Sequence, residues 1–127
     1  MQPGGAHLQA IRSRAHRNVL SAQPDGRLET RPGVGGDWEK FKIEPVGPGR
    51  VAIRSCHGWY LSAQPDGRID KRPSAGGDWE HFSLQQNGDG SVSFRSWHGK
   101  FLCDEGSVVV WNRDAVGDWE KFDLVPA

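Results

Sequence analysis

Apolar and polar residues alternate through Val51-Ala52-Ile53-Arg54-Ser55, the period of a strand with one buried face. Cys56-His57-Gly58 reads as a tight turn, with glycine supplying a positive φ. Trp59-Tyr60-Leu61-Ser62 is a second strand. Gln64-Pro65-Asp66-Gly67 is the next turn, where proline presets φ and Asp-Gly accepts left-handed backbone. Arg68-Ile69-Asp70-Lys71 makes a short third strand, and 73–78 a loop. Trp79-Glu80-His81-Phe82-Ser83-Leu84 is the fourth strand, with Trp79, Phe82 and Leu84 inward and a bulge between Trp79 and Phe82. No stretch sustains a helical period.

The same pattern occurs three times. Gly-Asp-Trp-Glu stands at Gly36–Glu39, Gly77–Glu80 and Gly117–Glu120; Trp38 to Trp79 is 41 residues and Trp79 to Trp119 is 40. Ile11-Arg12-Ser13 recurs as Ile53-Arg54-Ser55 and Phe94-Arg95-Ser96. His16, His57 and His98 each lie four residues before a leucine. Ser-Ala-Gln-Pro-Asp-Gly-Arg is whole at Ser21–Arg27 and Ser62–Arg68. Phe41 and Ile43 recur as Phe82 and Leu84, and as Phe122 and Leu124. Four short strands cannot bury their own apolar face, whereas three such units around an axis enclose a common core. The expected core is Ile11, Leu20, Leu28, Trp38, Phe41, Ile43 and their equivalents. The last strand is expected beside the first, closing a pseudo-threefold.

Two units depart from the pattern. The first has an extra residue between Ser13 and His16. The third reads Leu102-Cys103-Asp104-Glu105-Gly106-Ser107-Val108 in place of the Gln-Pro-Asp-Gly turn. The residue equivalent to Leu28 and Ile69 is then Val110 if no gap is allowed, or Val108 if the turn is shorter.

Composition narrows the function classes. Sixteen basic and sixteen acidic residues balance to zero, against the basic excess of nucleic-acid or anionic-membrane binders. The 17 glycines and 8 prolines fit a turn-rich chain. No apolar run approaches the ~20 residues of a membrane span, and Met1–Gly5 lacks the basic and apolar regions of a signal peptide; residues 1–6 are expected to be a flexible tail. Cys56 and Cys103 occupy different repeat positions and have no zinc or redox spacing, so they are expected to be reduced thiols of a cytoplasmic protein. Nucleophile elbows, HExxH and phosphate loops are absent, so neither catalysis nor a metal or cofactor is expected.

Val51 through Ala63, together with Ser96-Trp97-His98-Gly99-Lys100-Phe101-Leu102, resemble the fascin-like β-trefoils, among them hisactophilin. Residues 112–122, Asn-Arg-Asp-Ala-Val-Gly-Asp-Trp-Glu-Lys-Phe, look like units of fascin-like modules attached to bacterial glycoside hydrolases. The resemblance implies an all-β fold, a β-trefoil of three four-stranded repeats and twelve strands, as one domain over 1–127 with repeats near 7–47, 48–89 and 90–127. It also implies partners: actin filaments, as for fascin and hisactophilin, or glycans, as for many other trefoils. The Gln-x-Trp signature of ricin-type lectins is missing, and five histidines are far fewer than the dense histidine of hisactophilin.

Candidate site residues fall into four groups. In Gly-Asp-Trp-Glu, the aspartate is expected to cap the turn and the tryptophan to fill the barrel; alternatively Asp37, Asp78 and Asp118 present carboxylates to a ligand. His16, His57 and His98 are turn residues or, if they converge, a ring of imidazoles. Trp59, Trp97 and Trp111 break the repeat, which core residues should not do. Trp97 aligns with Cys56. Trp111 aligns with Glu29 and Asp70 and is expected to be exposed, free to stack on a sugar or anchor an interface; the alternative is burial of such a Trp beneath a loop or the 1–6 tail. Arg12, Arg54, Arg95, Arg27, Arg68 and Lys100 are either locally ion-paired strand ends or a basic patch for acidic actin, which Arg54, Arg95 and Lys100 would carry. The expected function is a non-enzymatic binding module, a monomer or weak homodimer. Actin filaments are the first expectation, and a lectin with up to three sugar sites is the alternative.

Overall fold

The computed structural model describes residues 8–33, 36–106 and 108–126. The expected tail at 1–6 lies outside them. Twelve strands form one antiparallel sheet system. They are β1 (Leu8–Ser13), β2 (Val19–Ala22), β3 (Leu28–Arg31), β4 (Phe41–Gly47), β5 (Arg50–Arg54), β6 (Tyr60–Ala63), β7 (Ile69–Arg72), β8 (Phe82–Gln86), β9 (Val92–Arg95), β10 (Phe101–Asp104), β11 (Val109–Arg113) and β12 (Phe122–Pro126). Pairings β1–β4, β4–β5, β5–β8, β8–β9, β9–β12 and β12–β1 close a six-stranded barrel. The hairpins β2–β3, β6–β7 and β10–β11 cap it. This is a β-trefoil. Its closure rests on β1 against β12, from Gln9 opposite Pro126 to Ser13 opposite Phe122.

The core repeats around the axis as the alternation requires. Ile11, Ile53 and Phe94 from the barrel, Leu20, Leu61 and Leu102 from the hairpins, and Phe41, Phe82 and Phe122 are all fully buried. Each removes enough apolar surface from water to contribute about 1.5–3 kcal/mol.

The tryptophan of Gly-Asp-Trp-Glu does not belong to that core. Trp38, Trp79 and Trp119 are exposed, and the glutamate beside each is buried. Asp37–Glu39, Asp78–Glu80 and Asp118–Glu120 form short 3-10 turns, so the fourth strand of the second unit starts at Phe82 and not at Trp79. The glutamate clips each turn in place. Its Oε1 accepts the backbone N–H of Gly36 (2.9 Å), Gly77 (3.2 Å) or Gly117 (2.6 Å). Its Oε2 accepts the hydroxyl of Ser21 or Ser62 at 2.7 Å in the first two units. A buried carboxylate must be hydrogen-bonded, so it faces inward and the indole next to it faces out. The turn is thus capped by glutamate, where the sequence pointed to aspartate.

The third hairpin settles the register. Ala22 pairs Leu28 and Ala63 pairs Ile69, while Asp104 pairs Val109. The equivalent of Leu28 is therefore Val109, neither Val108 nor Val110. The turn is one residue shorter, and β11 recovers the residue in a bulge: Leu102 pairs Trp111 and Phe101 pairs Arg113. A one-residue slip changes the face a side chain takes. Trp111 accordingly aligns with Thr30 and Lys71, is 1% exposed, and stacks on Phe82 with ring centroids 4.5 Å apart. The expectation that Trp111 is a surface residue is overturned. The turn after β1 carries a local cost, because the first unit lacks the glycine of the other two. Arg17 takes φ 62° where the other units place Gly58 (88°) and Gly99 (82°).

Two substitutions test this account by urea unfolding. Trp111→Ala should lose about 3–5 kcal/mol, the range for emptying a large buried aromatic site; a change below about 1 kcal/mol would contradict its burial. Arg17→Gly should gain about 0.5–1 kcal/mol, because an L-residue pays for left-handed backbone and the freer unfolded glycine offsets only part of the gain.

Candidate functional site

The three histidines form no cluster; each closes a different seam between neighbouring units. His57 packs on Trp38 (5.5 Å between centroids), His98 on Trp79 (5.0 Å) and His16 on Trp119 (5.4 Å). The Nε2 atoms of His57 and His98 lie 2.8 Å and 3.0 Å from the carbonyls of Ala22 and Ala63. A carbonyl only accepts, so Nε2 carries the proton. The third seam differs: buried Asp104 stands at the alanine position, and the Nε2 of His16 is buried without a partner. Among the described residues no group of three or more His, Cys, Asp or Glu is placed to hold a metal ion. Asp37, Asp78 and Asp118 stand exposed at the turns, apart from one another, with Lys40 3.6 Å from Asp37.

Beside the seams lie three grooves related by the pseudo-threefold. Each contains the Arg-Ser that ends the first strand of a unit, the turn after it, and the residue following the core phenylalanine of the preceding unit. The first holds Arg12, Ser13, Arg14, Arg17 and Asp123. The second holds Arg54, Ser55, Cys56 and Gly58 with Leu8, Lys40 and Lys42. The third holds Arg95, Ser96, Trp97 and Gly99 with Arg50, His81 and Ser83, enclosing about 400 Å³. Arg-Ser is constant; the remaining positions vary.

Charge is segregated although the chain is neutral. Arg14, Arg27, Arg31, Arg68, Arg72 and Arg113 form ion pairs with Asp or Glu. Arg12, Arg17, Arg50, Arg54 and Arg95 have none among the described residues, and all of these line the grooves. Lys100 pairs with Asp114. Local ion pairing therefore describes Arg27, Arg68 and Lys100, not Arg12, Arg54 and Arg95. Arg54 and Arg95 instead rest on the rings of Tyr60 (5.8 Å) and Phe101 (5.7 Å), which holds a guanidinium without neutralising it. In the first groove the balance differs. Asp123 accepts from Arg14 at 3.0 Å; outside the groove, Asp89 pairs with Arg14 and Lys121 and accepts from Ser91, and the Ser91 hydrogen bonds and Lys121 hold its carboxyl well below its usual range.

Of the tryptophans that break the repeat, two are internal. Trp111 fills the core, and Trp59 is buried beside His57, their rings parallel at 6.2 Å. Trp97 is 55% exposed, with the Arg50 guanidinium 5.7 Å from its ring centroid. The structure thus brings Trp97 and Arg95 into one groove, puts Arg54 in another, and leaves Lys100 outside both. Sequence reasoning missed Arg50, His81 and Ser83. The signal for Arg50 was present, since the first unit has Leu8 at its position.

A trefoil with grooves at its unit seams is a binding module. The fascin domain profile matches residues 4–124, and the chain belongs to the fascin domain family. A similar solved structure is the designed threefold-symmetric protein ThreeFoil, with 22% identity, 94% of this chain and 99% of that chain covered, and a TM-score of 0.85. At that identity the likeness concerns the fold alone. A search of curated proteins returned no match.

The thiols offer a check on the site's surroundings. Cys56 is exposed in the second groove, and partial desolvation raises its pKa. Cys103 replaces Ser21 and Ser62 opposite the buried glutamate; burial, then its hydrogen bond to Glu120, pushes its pKa up to about 12. The thiolate is the reactive form. A maleimide at neutral pH should label native Cys56 slowly and Cys103 only after denaturation, as read by peptide mass spectrometry. Labelling of native Cys103 would show that the third clip is open.

Proposed function

We propose that the protein is a non-enzymatic carbohydrate-binding module whose working site is the Trp97 groove. The observation that carries this reading is Trp97 itself, exposed in a groove of about 400 Å³ with Ser83, Ser96 and His81 in the same wall. An indole face suits the C–H face of a sugar ring, and a few converging polar groups orient its hydroxyls. The volume lies in the usual range for small-ligand sites. The equivalent positions in the other grooves are Arg14 and Cys56, which supports one sugar site per molecule and not three.

A second reading, binding to actin filaments, is favoured by membership of the fascin domain family and by Lys42 and Arg54 in the second groove. Attraction to an acidic filament should weaken as salt rises through the physiological range, so pelleting with filamentous actin that is lost at physiological salt would support it.

A glycan array followed by calorimetry tests the first reading. One saccharide per chain should bind, and Trp97→Ala should weaken it by about tenfold or more, as for an aromatic anchor, with the unfolding midpoint unchanged. Sugar binding that survives Trp97→Ala would remove this groove from the account.

A further inference from the structure

We infer that the Trp97 groove selects an anionic saccharide, one carrying a carboxylate or sulfate, an inference that rests on the carbohydrate reading above. Two guanidinium groups, Arg50 and Arg95, line the groove together with an exposed indole, and no Asp or Glu does. The chain has as many acidic as basic residues. Acids neutralise most of the other arginines, and none lines this groove.

Neither guanidinium is neutralised: Arg95 rests on the Phe101 ring, which leaves its charge uncompensated. Arg50 has no ion pair among the described residues and lies over the Trp97 ring. Arg95 donates from Nε to the Gly99 carbonyl at 3.4 Å, a long bond, and its terminal nitrogens have no protein acceptor among the described residues. A planar guanidinium offers paired N–H donors that match a carboxylate or sulfate in a bidentate contact. The Arg50 cation sits within 6 Å of the indole, so a sugar ring stacked on Trp97 would bring a charged ring substituent within its reach. His81 lines the same wall, its ring held by Nε2–H donating to the Ala75 carbonyl at 2.6 Å.

The related grooves lack this combination. In the first, Asp123 neutralises Arg14 and no aromatic lines the groove. The second has cations but no aromatic among its lining residues, and Leu8 stands where Arg50 does. Selection of an anionic sugar therefore belongs to the third groove alone.

The test is calorimetry with three matched oligosaccharide series on one backbone: neutral, uronate and sulfated. The uronate or the sulfated series should bind at least tenfold tighter than the neutral one, and the preferred series identifies the anion. Raising salt should reduce the difference. Arg95→Gln and Arg50→Gln should each shrink the preference for the anionic series over the neutral one, with the unfolding midpoint unchanged. Equal binding of neutral and anionic series would overturn the inference and leave the carbohydrate reading standing. No binding of any series would overturn both. Anion binding that persists in Trp97→Ala would also overturn it, because a polyanion held by Arg12, Arg17 or Arg54 needs no stacked ring.

Discussion

The buried glutamate of Gly-Asp-Trp-Glu is the contact on which the rest of the arrangement depends. A carboxylate is costly to bury unless its oxygens are satisfied, and here one oxygen takes a turn N–H while the other takes a serine hydroxyl from the first hairpin strand of the same unit. This joins two segments separated by 18 residues. It also dictates where the flanking residues go. The tryptophan is turned outward onto the histidine of the next unit. The residue after the glutamate, Lys40 or His81, reaches the groove wall in the second and third grooves. One hydrogen-bonded carboxylate thereby places the turn, the seam and part of the candidate site.

Charge placement follows a second rule. Arginines at the hairpins have acids nearby, as in Asp25–Arg27 and Asp66–Arg68, where hydrogen bonds from the arginine lower the aspartate pKa. Exposed pairs of this kind contribute little stability, but they neutralise the hairpin surface. Arg50, Arg54 and Arg95 keep their field because aromatic rings, not carboxylates, lie against them. A formal charge of zero therefore hides three local patches.

Much of the fold was legible in the sequence because the repeat encodes it directly: alternating strands, the Ile-Arg-Ser and Phe-x-Leu core positions, and closure of the first strand on the last. The side a tryptophan takes was not. Trp38 looks like a core residue until Ser21 is known to hold Glu39 in its place, a contact no local pattern reveals. Trp111 was misread because a shortened turn and a compensating bulge cancel in residue count while moving the side chain to the other face. The candidate site was half legible. Trp97 and Arg95 stood out as a departure from the repeat and a part of it, respectively. Their neighbours Arg50, His81 and Ser83 come from the preceding unit and meet them only when the seam forms.

Because each groove is assembled across a seam, its variable residues are separate from the glutamate clip and the core leucines and phenylalanines that all units share. A substitution at position 14, 56 or 97 alters one groove and leaves the other two untouched. The internal symmetry thus acts as insurance for divergence: one copy of a binding surface can drift toward a new ligand while its siblings, and the barrel beneath them, are preserved.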